Sequence, residues 1–452
     1  MLTDTIAALA TPPGRSAVAL IRVSGRDALS VAARVLRPFV AEPARQARRG
    51  RAVDPGSGEP LDDVLYTVYR APASYTGDDL VEIGTHGGLL VPGEVLGAVL
   101  AAGARVAAAG EFTRRALANG KLDLVQAEAV GDLIDATAPA QRRAALDQLE
   151  RGLSRRIGAL RDNVLALEAL VSYDIDFPEE DSGPVPPERV ARATGDLEEA
   201  LRVLARTALE GERLREGALT VIAGRPNVGK SSLFNALLGS ERAIVTEVPG
   251  TTRDAIEAGV TCAGFPFRLV DTAGLREDAD RIERLGIEVS RRYLAAADIV
   301  LLCVEAQHPL GPVERQFAAD FAERLVLVRT KADAGAGPAA ASTPPAGGCV
   351  AVSALTGAGL AELRAALAAC AYTTLAGQGD VEPVVTRARH RTALERALEE
   401  VSAFADARRA GIEAAVAATH LRAAATALED MIGLVTTDDV LDRIFSSFCV
   451  GK

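Results

Sequence analysis

The run Gly224-Arg-Pro-Asn-Val-Gly229-Lys230-Ser231 sets two glycines, a lysine and a hydroxyl at the spacing GxxxxGK[ST]. Glycines at those places let successive backbone N–H groups turn toward a phosphate. Lys230 brings a positive charge near the β and γ phosphates, and Ser231 offers a hydroxyl to magnesium. Asn227, Val228, Gly229 and Ser232 complete the candidate phosphate cradle. Asp271-Thr272-Ala273-Gly274 closes an apolar run. A carboxylate there holds magnesium through water, and the Gly274 backbone senses the γ phosphate. Thr330-Lys331-Ala332-Asp333 follows another apolar run and resembles the guanine-reading NKxD pattern. Asp333 would accept from the two donors on the guanine edge, a donor pair that adenine lacks, so GTP is preferred over ATP. Thr330 replaces the usual Asn, whose main work is to brace the phosphate loop. Ser353-Ala354-Leu355 is similar to the loop that closes over the base. Four motifs in this order imply binding and hydrolysis of GTP.

The residue after Asp-Thr-Ala-Gly is Leu275, where Ras-like enzymes carry a water-orienting Gln. A leucine has no polar atom, so another group must position the water. The stretch Thr246 to Asp254 resembles the first switch segment, with Thr252 as second magnesium ligand and Thr246 and Thr251 beside the nucleotide. An ordinary Pro-Gly turn is the lesser alternative for the same residues.

These residues need strands and helices to hold them. Apolar runs at 219–223, 267–271, 299–304, 325–329 and 349–353 alternate with helical pattern, which implies βαβ units and a mainly parallel sheet. The insert 334–348 reads as a surface loop. Upstream, 17–23, 63–69 and 80–83 read as strands, with a glycine-rich turn at 84–88, so the first 118 residues suit an α+β domain. Leu122, Val125, Ala129 and Leu133 share a helical face. Helical pattern continues over 141–173, breaks at an acidic, Pro-rich loop (174–187), resumes to about 215, and returns from 380 to the end. The expected fold is α/β multidomain. An N-terminal α+β domain (1–118) precedes a discontinuous helical domain (119–216 and 377–452), into which a Ras-like P-loop domain (217–376) is inserted.

The chain has 452 residues, enough for about three domains. Its net charge of −11 excludes a generally basic coat for nucleic acid, so any RNA contact needs a local patch. No apolar run is long enough to span a membrane. The N-terminus lacks a basic start followed by an apolar block, which argues against a secretory signal. Five scattered cysteines without CxxC pairs suit a reduced, cytoplasmic protein better than a disulfide or zinc framework. Cys449 sits fourth from the end, but a terminal Lys is wrong for prenylation. A buried structural cysteine is the preferred reading, and a reactive thiol the other. His86, among glycines, could touch a ligand.

Several blocks together resemble one family. They are Ala10-Thr-Pro-Pro-Gly-Arg15, Ser74-Tyr-Thr-Gly-Asp-Asp-Leu-Val-Glu82, Gly110-Glu-Phe-Thr-Arg114 and Asn119-Gly-Lys-Leu-Asp-Leu-Val-Gln-Ala-Glu128. Gly250-Thr-Thr-Arg-Asp254, Asp271 to Glu277, and the ending Arg443-Ile-Phe-Ser-Ser-Phe-Cys-Val-Gly-Lys452 extend the match to nearly the full length. The family is that of the tRNA modification GTPase MnmE, also called TrmE. The resemblance implies a folate-binding and dimerising N-terminal domain and a homodimer. It implies a flavin-dependent partner, MnmG (GidA), and modification of carbon 5 of the wobble uridine in certain tRNAs. The product would be carboxymethylaminomethyluridine, with the added carbon drawn from a tetrahydrofolate derivative in the 5,10-methylene or 5-formyl form. It further implies potassium held by Asn227, Thr246, Val248 and Thr251, and Glu283 as an indirect water-positioning group. That makes Glu283, Lys230 and Asn227 the catalytic candidates. Folate would meet Arg22, Glu82, Lys121 and Lys452. A ribosome-assembly switch of the Era or Der kind is the alternative, since it shares the guanine-nucleotide motifs but usually adds a basic RNA-binding module.

Overall fold

A computed structural model of the chain describes residues 4–176, 186–239, 256–271, 292–335, 347–377, 383–435 and 437–451. The chain divides into two compact units. One joins Met1–Gly131 to Glu429–Lys452, and the other is Asp132–Leu428.

The first unit is built on seven strands: β1 (Ile6–Leu9), β2 (Gly14–Ser24), β3 (Leu36–Arg37), β4 (Arg48–Val53), β5 (Pro60–Tyr69), β6 (Leu80–Gly88) and β7 (Arg105–Val106). Their order is β3-β4-β5-β6-β2-β1-β7, antiparallel except for the β1–β7 pair. Along β5, Val64, Tyr66 and Val68 are buried while Asp63 and Leu65 face outward, the period-two pattern of a sheet with one covered face. Helices Ala28–Val35 and Val91–Ala101 cover that face, packing Val31, Val35, Val95 and Val99 with Ile21 and Ile83. The C-terminal segment joins this unit through helix Asp438–Phe445 and a bridge between Ala109 and Val450.

The stretch 84–88, expected as a turn, is the second half of β6. Its glycines serve close approach instead: a Cβ on Gly87 would stand 2.2 Å from the Ser16 carbonyl oxygen. Strands β1, β3, β4 and β7 went unforeseen. Two of them have only two residues, and β4 reads Arg-Arg-Gly-Arg-Ala-Val, with no apolar alternation to find.

Among the described residues the second unit holds six strands: β8 (Ala218–Gly224), β9 (Ile256–Cys262), β10 (Phe265–Asp271), β11 (Ile299–Glu305), β12 (Leu325–Thr330) and β13 (Cys349–Ala351). Their order is β13-β12-β11-β8-β10-β9, parallel except for the β9–β10 hairpin. Every residue from Ile299 to Val304 is buried, as a parallel strand covered on both faces requires. Helices Lys230–Gly239 and Leu360–Ala371 pack on one face, while Phe317 and Phe321 pack on the other. The hairpin strand β9 is an addition to the expected five. Its turn residues Ala263 and Gly264 both have positive φ, 50° and 85°, the geometry that joins twisted antiparallel strands tightly.

Helices Pro139–Leu149, Gly152–Asp176, Pro187–Arg206 and Ala208–Glu216 precede this sheet, and Ala388–Arg409 and Ala414–Ile432 follow it. Ala388–Arg409 packs along Pro187–Arg206, so helices from both sides of the sheet form one body around an inserted α/β element. The expected helix over 141–173 is two helices, broken where Arg151 takes φ 70°. Most of the acidic, Pro-rich loop and of the insert 334–348 lies outside the described residues. Among the described residues no helix is long and apolar enough to cross a membrane.

Candidate functional site

Strand β8 delivers the chain to the phosphate loop, and the loop's shape follows from what surrounds it. Gly224 is registered against Cys303 of β11, and a Cβ there would come 2.5 Å from the Cys303 carbonyl oxygen. Asn227, at φ 62°, and Gly229, at φ 99°, take left-handed backbone. Asn is one of the few side chains that tolerates that region. The loop ends at Lys230, the first residue of helix Lys230–Gly239, whose early N–H groups have no partner within the helix. Lys230 Nζ donates to the carbonyl oxygens of Gly224 (3.0 Å) and Arg225 (2.8 Å), arching over the loop. Ser231 Oγ donates to Asp271 Oδ2 at 2.8 Å, so the hydroxyl and carboxylate expected at magnesium stand together. Beneath them, burial pushes the Cys303 thiol up to about 12 despite nearby Lys230, so it stays protonated.

At the base end, Thr330 Oγ1 donates to the Val228 carbonyl at 2.6 Å. Threonine therefore braces the phosphate loop, as the usual Asn would. Asp333 Oδ1 accepts from Ser353 Oγ at 2.6 Å, and that hydroxyl holds the Asp333 carboxyl below its ordinary value. A cavity of about 340 Å³ lies between, lined by Gly229, Thr330, Lys331, Asp333, Ala354 and Leu355 among others. Its size suits a purine, and its acceptor faces the cavity where guanine offers donors. Two features went unforeseen: the Arg225 side chain is tied to Glu314 (2.7 Å), and Lys331 pairs with Glu305. The donor set fits a magnesium-bound guanine nucleotide. Thr246, Val248, Thr251, Thr252, Thr272, Ala273, Gly274 and Glu283 lie outside the described residues.

The first unit holds a second polar group. Arg22 on β2 and Glu82 on β6 are cross-strand partners on the outward face, with Nε to Oε1 at 2.9 Å. Tyr69 OH donates to Glu82 Oε2 at 3.4 Å, and the Arg22 guanidinium lies 5.5 Å from the centre of the Tyr75 ring. Burial, then the Glu82 charge, raises the Tyr69 phenol above its ordinary value. The C-terminal segment reaches the same place, where Arg22 donates to the Gly451 carbonyl at 3.4 Å. Gly451, at φ 98°, sits where a Cβ would meet the Leu9 carbonyl at 2.5 Å. Lys452 lies outside the described residues. Lys121 is exposed and donates to the Pro72 carbonyl at 2.9 Å, rather than to the Arg22–Glu82 pair. A partly accessible carboxylate beside two phenol rings and a guanidinium suits a flat heterocycle with N–H donors. Neither tyrosine was singled out from the sequence. Tyr69 could have been found from its outward place on β5.

Cys449 is exposed, which corrects the expectation of a buried structural cysteine. The last turn of chain runs along the surface of the first unit, with the Cys449 carbonyl, not its thiol, meeting Gly110 N–H at 3.4 Å. His86 is also exposed and pairs with Asp62 at 2.7 Å.

Comparison with known proteins covers the whole chain. A family model described as the MnmE helical domain matches residues 124–449, and one described as the GTP-binding protein TrmE N-terminus matches residues 5–121. The tRNA modification GTPase MnmE of Moorella thermoacetica is 45% identical, covering 100% of each chain. That of Aquifex aeolicus is 40% identical over the same share. Among solved structures, the G domain of the T. maritima FeoB iron transporter is 28% identical, covers 34% of this chain and 98% of its own, and has a TM-score of 0.26. The phosphate loop, the cavity beside Asp333 and these full-length relatives lead to one assignment: the chain belongs to the MnmE family of tRNA modification GTPases.

Proposed function

We propose that the chain hydrolyses GTP at the loop after β8 and uses that cycle in modifying carbon 5 of a tRNA wobble uridine. In this reading the product is carboxymethylaminomethyluridine and the carbon comes from a tetrahydrofolate one-carbon unit. The chain works in the cytoplasm as a homodimer, together with the flavoprotein MnmG (GidA). The observation that carries the hydrolysis is the convergence of Lys230, Ser231, Asp271, Thr330 and Asp333 around one loop and one cavity.

The residues divide the labour. Loop N–H groups and Lys230 hold the phosphates, and Asp333 accepts from the guanine edge while Ala354 and Leu355 cover the ring. Asp333 stays ionised below neutral pH, because the Ser353 hydroxyl stabilises its charge. Ser231 and Asp271 would hold magnesium, the first directly and the second through water, with Thr252 as a further ligand. Magnesium and potassium, when bound, supply positive charge against the phosphates. A cation there would replace an arginine finger, which is worth about 10³–10⁵ in rate. Asn227, with Thr246, Val248 and Thr251, would hold the potassium. Asn227 keeps a side chain where glycine would be easier, which suits a residue retained for its amide. Glu283 takes over the positioning of water that Leu275 cannot perform.

In the first unit, Glu82 would accept from the pterin ring, with Arg22 and Tyr69 fixing its orientation and Lys121 and Lys452 completing the folate contacts. Full-length relatives favour this reading over the ribosome-assembly alternative. The test is reconstitution with the flavoprotein, an unmodified tRNA and tetrahydrofolate carrying an isotopically labelled one-carbon unit. Mass spectrometry should find the label on the wobble uridine only when GTP is present. Label that enters equally without GTP would leave hydrolysis uncoupled from modification and defeat the proposal.

A further inference from the structure

The chain carries a net charge of −11, yet residues 26–51 hold seven arginines and two acids. Five of the seven, Arg37, Arg45, Arg48, Arg49 and Arg51, lie on or beside β3 and β4 at one edge of the seven-stranded sheet. Arg49 and Arg51 alternate with buried Gly50 and Ala52 on β4, so both point away from the helices. Arg37 on β3 is the cross-strand partner of Arg51. Like charges directly opposite on antiparallel strands are unfavourable, and on its other side Arg51 is the cross-strand partner of Asp63. Asp63 bridges Arg49 (3.2 Å) and Arg51 (3.0 Å), one carboxylate between two guanidiniums. Arg45 and Arg48 donate to carbonyls, of Ala73, and of Gln46 and Pro43. Arg37 donates to the carbonyls of Ala33 and Leu36. Neutral acceptors orient a guanidinium without cancelling its charge. The Arg49 side chain is 78% exposed.

We propose that this arginine edge grips the phosphate backbone of the tRNA. A guanidinium is weakly hydrated and presents paired donors that match phosphate oxygens. Folded RNA is recognised largely through backbone and shape, so a rigid strand edge with fixed cations suffices without base contacts. The acidic remainder of the chain confines the polyanion to this edge. The inference rests on the tRNA reading above and adds the surface.

The experiment measures fluorescence anisotropy of an unmodified tRNA with the full chain across a salt series. The parent is compared with the triple variant Arg48→Gln, Arg49→Gln, Arg51→Gln, and with Asp63→Asn, which releases both arginines from their shared carboxylate. The triple variant should bind about tenfold more weakly at low salt. Its slope of log K against log salt should be shallower by about two, the loss of two or three phosphate contacts. Asp63→Asn should bind more tightly than the parent, and it carries the test if the triple variant does not fold. Basal GTP hydrolysis should be unchanged in both. Equal affinity and slope in parent and folded triple variant would remove the edge from the interface and leave the tRNA reading standing. A parent that fails to bind tRNA at low salt would overturn both. Binding of a polyglutamate probe that the triple variant loses, with tRNA binding intact, would assign the edge to an acidic protein instead.

Discussion

The phosphate loop from Gly224 to Lys230 is one unbroken run, whereas Arg22, Tyr69, Glu82 and Gly451 reach their site from four separate parts of the chain. The first is made chiefly of backbone: N–H groups, carbonyls and left-handed residues, with side chains added at Lys230 and Ser231. The second is made chiefly of side chains that share an outward sheet face through strand register, with the Gly451 carbonyl added. A loop of the first kind needs glycine at fixed intervals and therefore leaves a pattern in the sequence. A site of the second kind requires only that each strand arrive in register, and each residue by itself looks ordinary.

The comparison breaks most readily at Lys230. Lys230→Ala removes the cation that arches over the loop, and phosphate-release assays should show hydrolysis falling about 10²–10³-fold. Folate titration should be unaffected, and a parallel loss there would mean that the two sites are not separately built. Asp333→Asn comes next. It exchanges a charged acceptor for an amide, so GTP should bind about ten- to a hundredfold more weakly in nucleotide competition. Xanthosine triphosphate should gain, because its ring offers an acceptor where guanine offers an amino group. Unchanged selectivity would remove Asp333 from the base contact. Glu82→Gln should weaken folate binding about tenfold by calorimetry, and Tyr69→Phe by less, with GTP hydrolysis intact in both. Equal titrations of parent and Glu82→Gln would place the pterin elsewhere.

The smallest effect is one of pH. In the first unit Asp4 bonds to Arg105 (2.7 Å) and Arg115 (2.6 Å), and these partners lower its carboxyl from 3.8 to about 2. A lowered value means that the folded state favours the charged form. The contribution is therefore fully present above pH 3.8 and is lost as pH falls through about 2. Asp4 is half exposed, so the effect is modest. Denaturant midpoints of Asp4→Asn should be lower than the parent's above this window and converge with it at the acid end. A constant gap across the window would assign the loss to packing instead.

Much of the second unit's sheet was legible, because parallel strands buried on both faces are continuous apolar runs such as Ile299 to Val304. The hairpin strand β9 carries a different signal: Ile256, Ala258, Val260 and Cys262 alternate with Glu257, Gly259 and Thr261, a period-two pattern that a search for continuous apolar runs misses. In the first unit, β4 hid behind its arginines, and 84–88 looked like a turn because glycine signals a turn and a close contact equally well. Thr330 shows the limit at the site. Its sequence departs from the usual Asn, but only the structure reveals that its hydroxyl reaches the Val228 carbonyl at 2.6 Å and does the same work. Arg22 and Glu82 came from resemblance, and their tyrosine neighbours came from neither pattern nor resemblance.

The most direct test compares GTP hydrolysis in potassium and in sodium at equal ionic strength, for the parent and for Asn227→Ala. The account predicts a parent that is fast in potassium and slow in sodium, and a variant that is slow in both. Equal parental rates in the two salts would contradict it, because the charge that an arginine finger would supply would then have to come from somewhere other than a cation at Asn227.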